Sequence, residues 1–552
     1  MYLHLDIDQY CGKIKKFISD PFAFNNLEAF LIKQNFLEQN IYRFFIKKHR
    51  YHYYRNQLIK QLQVNKEVIF QDLSSVKNEL SNLDIKTYRQ KLMGSDRFLL
   101  ENYFIDYLVD YFDIKENGTS QDYTNLATYI SFVHLSELIF HILNNDVEIT
   151  CKGQTYFIYP NKILKNELKR RWLAMQYEAG SSLTLTSNII LMSESLKKYH
   201  VPDEEKIEAI DILSRFILDR VFLINLHYLK DPQLTNNQYM KFIQQLCKFF
   251  ALLATERSIP FNETRFNMFG IDNEILKRIL DINSKLPILD KGFIVEDSKL
   301  IYDESIDLYN ILKSYTINSV NTDKSSDLVA NLGRIFEGYI RSNLIERFEK
   351  NGRYKVIPTS LDYNHDGVNA DIDVIAFDIC KKMYYFIQCK YTINNKPYYK
   401  DEVKSFCNNK LFRKGLKQLS SIKEAMHQQE FIDKLQSLGI ELNESKNNYI
   451  LILTHTSAQL DFQQVGDVVL YEWNTLRNLL DDGQELMCNI NLTNPTVQVN
   501  HISSKLKLEN VDSVVDSIFR SSTKDYKSGW NKFINSSFEI KLGDIHIVSN
   551  IR

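Results

Sequence analysis

Two apolar runs separated by a short turn constrain the fold of this chain more than any other feature of its sequence. The runs are ADIDVIAFD and YYFIQCKYT, and the segment between them contains two adjacent lysines. So short a connection predicts that the runs pair as antiparallel strands of one sheet. Residues two apart in a strand point to the same face, so Gln388 and Lys390 are expected to project together. Asp373 lies on the neighbouring strand.

The elements around this pair predict an α/β domain over residues 328–484. Helices are expected at Leu328–Lys350 and Lys400–His427, and further strands at Tyr354–Pro358, Asn448–Thr454 and Val468–Tyr471. The order is therefore helix, three strands, helix, strand. Glu337 lies in the first of these helices.

The rest of the chain has a different character. Residues 1–320 show apolar residues at three- and four-residue spacing, which predicts a large all-helical N-terminal domain with one short hairpin near Val147–Tyr159. Only 17 glycines and 9 prolines interrupt the 552 residues, which favours long packed helices. Residues 485–552 are expected to form a small β-containing C-terminal segment, with a hairpin in Ser537–Val548. The predicted fold class is multidomain, α plus α/β.

Charge and cysteine content exclude several classes of protein. Lys and Arg number 68 against 69 Asp and Glu, so a strongly basic polyanion binder is excluded and any nucleic-acid surface must be local. The seven cysteines show no C-x-x-C spacing, which indicates neither a disulfide framework nor a cysteine zinc site. With no signal peptide and no apolar membrane span recognised, a cytoplasmic protein with no membrane partner is expected.

The polar residues of the two paired runs suit metal-dependent phosphodiester cleavage. Mg²⁺ takes oxygen ligands, so Asp373 is the expected anchor, joined by the side-chain oxygen of Gln388 and the main-chain carbonyl of Cys389. Glu337 would bind the metal directly or through water. Lys390 would orient or help deprotonate the attacking water, or stabilise the charge on phosphorus.

Asp371 competes with Asp373 for the role of principal metal ligand. We prefer Asp373 because its Ile-Asp-Val-Ile context predicts a position within the strand proper.

This arrangement resembles the PD-(D/E)xK nuclease superfamily, which has the restriction-endonuclease-like αβββαβ fold. The likeness covers about residues 328–480, and the Gln-x-Lys ending is similar to the Mrr-like branch. The resemblance implies that Glu337, Asp373, Gln388 and Lys390 are the catalytic residues of an endonuclease that uses Mg²⁺ or Mn²⁺. It also favours duplex DNA over RNA as the substrate, and a role in bacterial antiphage defence or restriction. Gln388 replaces a carboxylate of other branches and so removes one negative charge.

A basic segment follows the predicted site. Its candidate nucleic-acid contacts are Lys396, Lys400, Lys404, Lys410, Arg413, Lys414 and Lys417. A phosphate backbone could follow such a patch, and a solvated helix face is the alternative interpretation.

Several alternatives stay open at this point. The nuclease-like domain could have lost activity and serve as a scaffold that binds nucleic acid or a partner. A structure-specific repair nuclease would share the same residues, and the sequence does not separate DNA from RNA. The helical domain is expected to bind a protein partner or an activator. Since duplex cleavage needs two cuts and each chain has one site, a homodimer is also expected.

Overall fold

The computed structural model describes part of the chain in detail. The described residues are 50–64, 78–85, 87–88, 118–123, 135, 138, 141–142, 146–199, 201–225, 238–286, 291–302, 308–322, 327–349, 352–357, 360–365, 367–391, 410–441, 446–453, 461–465, 467–480, 483–487, 497–501, 507–522 and 524–551. They form a mixture of helices and sheets.

The N-terminal region is built mainly from helices. Its elements are α1 (Arg50–Val64), β1 (Val147–Lys152), β2 (Thr155–Pro160), α2 (Lys162–Lys198), α3 (Asp203–Phe222), α4 (Gln238–Glu256), β3 (Ser258–Pro260), α5 (Glu263–Met268), α6 (Asn273–Lys285), β4 (Phe293–Glu296), β5 (Lys299–Tyr302) and α7 (Leu308–Thr322). Helix α4 is the centre of the core here, because it is apolar around most of its circumference and buries Phe242, Phe249 and Phe250.

Strands in this region correct the prediction of an all-helical domain. The hairpin expected near Val147–Tyr159 is confirmed, with Gly153 in its turn at φ +65°. A further three-stranded sheet has the order β3-β5-β4. Its strands are three or four residues long, too short for an alternating pattern to stand out in the sequence.

The middle of the chain is built around a six-stranded sheet. Its elements are α8 (Asp327–Asn343), a π-helical turn (Leu344–Glu349), β6 (Tyr354–Ile357), β7 (Leu361–His365), β8 (Val368–Ile372), β9 (Val374–Asp378), β10 (Met383–Lys390), α9 (Lys410–Ala425), α10 (Gln429–Ser437), β11 (Lys446–Leu453), β12 (Gln463–Val465), β13 (Val468–Glu472) and α11 (Trp473–Leu480). The strand order is β12-β13-β11-β10-β9-β6. The predicted antiparallel pairing of the two apolar runs, now β9 and β10, is confirmed. Strand β10 is buried along its whole length and pairs on its other side with β11, in parallel.

Strands β7 and β8 form a separate antiparallel hairpin that runs directly into β9. The predicted strand through Asp373 is therefore two strands, and Asp373 is the single residue between them. Our placement of Asp373 within the strand proper is wrong, because the chain bends there as it leaves the hairpin and enters the main sheet. Asp371, the competing carboxylate, lies within β8.

The C-terminal segment contains helices as well as strands. Its elements are β14 (Gly483–Met487), β15 (Val497–His501), α12 (Val511–Ser521), α13 (Lys524–Asn535), β16 (Phe538–Leu542) and β17 (Ile545–Ser549). The hairpin predicted in Ser537–Val548 is confirmed as β16 and β17. Strand β17 pairs in parallel with β2, which gives a four-stranded sheet of order β1-β2-β17-β16.

Aromatic packing joins the C-terminal segment to helix α2. The Trp172 ring lies 5.0 Å from that of Phe533 and 6.4 Å from that of Trp530. These contacts and the shared sheet place the C-terminal segment in one hydrophobic core with the N-terminal region. Among the described helices, none has both the length and the apolar character needed to cross a membrane.

Candidate functional site

Three elements bring the predicted site residues together. Helix α8 carries Glu337, the bend between β8 and β9 carries Asp373, and the end of β10 carries Gln388 and Lys390. Asp373, Gln388 and Lys390 are 3%, 0% and 9% exposed, whereas Glu337 is half-buried. Ionisable side chains are seldom buried to this degree without a partner, so their contacts decide what the site can do.

The carboxylate of Asp373 is the centre of these contacts. Its Oδ2 atom accepts hydrogen bonds from Gln388 Nε2 and from the Cys389 main-chain N–H, each at 2.6 Å. The β9–β10 ladder ends at the pair Val374–Ile387, so Asp373 leaves the ladder opposite Gln388. Its side chain thus takes the place that a main-chain acceptor would have held.

Lys390 points inward beside the same carboxylate. Its Nζ lies 3.9 Å from Asp373 Oδ2 and donates a 3.0 Å hydrogen bond to the main-chain oxygen of Cys389. Lys390 is the last residue of the buried strand, which holds its ammonium group within the site.

Two further residues lie at this site. The resemblance places the helix that carries Gln418 beside the site without giving that residue a role, and the motif reasoning did not identify Arg341. Arg341, one helical turn after Glu337, donates from Nη2 to the Asp373 main-chain oxygen at 2.7 Å. Gln418 of α9 donates from Nε2 to Asp371 Oδ2 at 2.5 Å. The four-residue spacing of Glu337 and Arg341 places both on one helix face and was the signal available for Arg341.

Burial and mutual repulsion disfavour the charged forms of the three carboxylates. Burial, followed by the charge of Asp373, raises the pKa of Glu337 to about 7. Burial and the same charge raise the pKa of Asp371 to about 6. Burial also raises the pKa of Asp373, although the ammonium of Lys390 opposes that rise. Such crowding of carboxylates is typical of a site that takes up a cation or a proton.

The donor set fits a hard divalent cation. Asp373 offers a carboxylate and Cys389 a main-chain carbonyl, and the buried Oε1 of Gln388 has no hydrogen-bond partner in the described part of the chain. All three are oxygen donors of the kind that Mg²⁺ prefers. Within the described ranges, no three His, Cys, Asp or Glu side chains lie close enough together to hold a metal ion. A Mg²⁺ site here would therefore depend on amide, main-chain and water oxygens as well as carboxylate.

The basic segment is described only in part. Lys396, Lys400 and Lys404 lie outside the described residues, and Lys410 is the first residue of α9. Lys414 and Lys417 are exposed on α9, and Arg413 is half-buried. The same helix packs against β8 and β10 and carries Gln418, so its exposed lysines lie on an element that borders the site.

Comparisons of the chain with protein-family models, with curated proteins and with solved structures find no match.

Proposed function

We propose that this protein is a metal-dependent endonuclease that cleaves phosphodiester bonds in nucleic acid, with duplex DNA as the favoured substrate. The observation that carries the proposal is the joint placement of Gln388, Lys390 and the Cys389 main chain around the Asp373 carboxylate. The order of elements also supports it. Helix α8, strands β6, β9 and β10, helix α9 and the parallel strand β11 follow the helix, three strands, helix, strand plan that the resemblance to PD-(D/E)xK nucleases implies, with the β7–β8 hairpin and α10 as additions.

The residues of the candidate site would have separate roles in metal binding, catalysis and phosphate contact. Asp373, Gln388 Oε1 and the Cys389 carbonyl would hold Mg²⁺ or Mn²⁺, with Glu337 directly or through water. Once bound, the cation would neutralise phosphate charge and lower the pKa of a coordinated water. The Lys390 ammonium, held in place by the Cys389 carbonyl, would orient the attacking water or stabilise the added charge on phosphorus. Lys414 and Lys417 would contact the phosphate backbone from α9.

The wider biological role is proposed on the resemblance alone. A nuclease domain joined to a large helical region suits bacterial antiphage defence or restriction, where the helical region would recognise a protein partner or an activator. A homodimer would supply the second cut that duplex cleavage needs.

The test is a cleavage assay on the full chain. Wild type and Lys390→Ala would be incubated with supercoiled plasmid, linear duplex, single-stranded DNA and RNA, in Mg²⁺, Mn²⁺ or EDTA. We expect metal-dependent cutting by wild type alone. Lys423→Ala is the matched control, because this lysine of α9 pairs with Asp467 on the surface and should cut like wild type. Cutting by Lys390→Ala at the wild-type rate would contradict the role of Lys390.

A scaffold without catalysis is the second candidate, and the burial of the site favours it. Gln388 is fully buried, and its Nε2 donates to the carboxylate oxygen that a metal would need. If wild type binds DNA but neither cuts it nor binds Mg²⁺ or Mn²⁺ by calorimetry, the scaffold replaces the nuclease.

A further inference from the structure

Arg341 occupies a place that no motif of the sequence assigns. It lies in the last turn of α8, and its guanidinium reaches across to the main-chain oxygen of Asp373 at 2.7 Å. Glu337 precedes it by one helical turn and is close enough to Asp373 for their charges to interact. One face of α8 therefore meets the Asp373 bend with both an anion and a cation.

The position of Asp373 explains why such a contact matters. The β7–β8 ladder ends at the pair Leu361–Ile372, and the β9–β10 ladder begins at Val374. Asp373 is thus the one residue between two ladders, and it is paired in neither. The hydrogen bond from Arg341 is the contact that ties its carbonyl to the helix.

The hydrogen bond of Arg341 would favour metal binding, whereas its positive charge would oppose it. A cation beside Glu337 and Asp373 lowers the pKa of both carboxyl groups, yet it also repels an incoming divalent cation. If charge were the whole role of this residue, its removal would tighten metal binding at a pH high enough to keep both carboxyl groups ionised in the variant as well. If the hydrogen bond holds the metal-binding bend in place, its removal would weaken metal binding. The two roles predict opposite signs.

We infer that Arg341 is a positioning residue, which fixes the Asp373 bend so that its carboxylate is held ready for a divalent cation. The inference rests on the function proposed above. It is independent of the resemblance, because it follows from the broken strand and the Arg341–Asp373 contact. Outer-shell contacts of this kind commonly determine metal affinity by orienting the ligands.

The test is calorimetric titration of the full chain with MgCl₂ or MnCl₂ at about pH 8.5, where the carboxyl groups are largely ionised and a change in their protonation contributes little. Arg341→Met removes the charge and the donor while keeping an unbranched side chain. We expect its affinity to be about 10-fold to 100-fold below that of wild type. Arg341→Lys keeps a charge and one donor and should fall between the two. Arg334→Met changes an exposed arginine of the same helix and should bind metal like wild type.

Each outcome decides a separate point. Equal or tighter binding by Arg341→Met overturns the inference, since it leaves only a charge effect. No binding by wild type overturns both the proposed function and this inference. Thermal melting in EDTA checks that the variants fold. If Arg341→Met does not fold, Arg341→Lys decides, with weaker binding supporting the positioning role and unchanged binding refuting it.

Discussion

Glu337→Gln is expected to stabilise the metal-free protein at pH 8 while weakening its metal binding. Burial and the nearby charge of Asp373 raise the pKa of Glu337 from its ordinary 4.5 to about 7. A carboxyl group with a raised pKa favours the folded state below its ordinary pKa. That stability is lost as the pH rises through the folded pKa. Gln has the same shape and no charge, so the variant avoids the loss.

The magnitude follows from the size of the shift. A rise from 4.5 to about 7 corresponds to about 3 kcal/mol once the group is fully ionised. Because Glu337 is only half-buried, water screens part of this, and we expect ~1–2 kcal/mol at pH 8. At pH 5 the two proteins should be almost equally stable. The corresponding rise in melting temperature at pH 8 is about 1–2 °C for a chain of this length.

The assay is thermal unfolding at pH 5 and pH 8, in EDTA and in Mg²⁺. In EDTA at pH 8 the variant should melt above wild type. In Mg²⁺ the order should reverse, because wild type gains stability from the bound cation and the variant gains less. Glu208→Gln, at an exposed site on α3, should melt like wild type in every condition. A variant that melts below wild type in EDTA at pH 8 would refute the argument.

Two further predictions concern how the parts of the chain are joined. Deleting residues 507–552 should leave a protein that is insoluble or melts without a cooperative transition. The deletion removes β17, the strand paired with β2, and the aromatic side chains that pack against Trp172. An unchanged melting transition would contradict this prediction. Arg170→Met should lower the free energy of unfolding by about 3 kcal/mol, because buried Arg170 donates to Gln463 and Asp512 and lies beside Glu167. The neighbouring Lys169 is half-buried and pairs with an exposed aspartate, Asp516, so Lys169→Met should cost less, about 1 kcal/mol. Urea unfolding compares the two, and equal losses would argue against a buried network.

Most of the central sheet could be predicted because its patterns are local. Strands β9 and β10 are short apolar runs joined by a tight turn, and such a connection allows few pairings other than an antiparallel one. Helix α8 and strands β6, β11 and β13 also fall where periodicity placed them. The parallel pairing of β2 with β17 could not be predicted, because it joins residues nearly 400 positions apart and no local pattern encodes such a partner.

The sequence predicted which residues would lie together at the candidate site. It did not predict the hydrogen bonds between them. Spacing alone placed Gln388 and Lys390 together on one strand face. It gave no sign that Gln388 donates to the Asp373 carboxylate, since that depends on where the β9–β10 ladder ends. Arg341 was missed for a related reason, because its partner is a main-chain carbonyl, which any residue type would supply.

The break in the strand is also what allows these contacts around Asp373 to form. In a continuous β-strand the Asp373 main chain would pair along the ladder, and its carboxylate would point to one face of the sheet. At the bend, the carboxylate instead accepts the Cys389 N–H, and the carbonyl is left for Arg341. Strand periodicity therefore fails at Asp373, and this is the residue that Gln388, Lys390 and Arg341 surround. Local patterns are expected to fail where a chain departs from regular structure, and functional sites often lie at such departures.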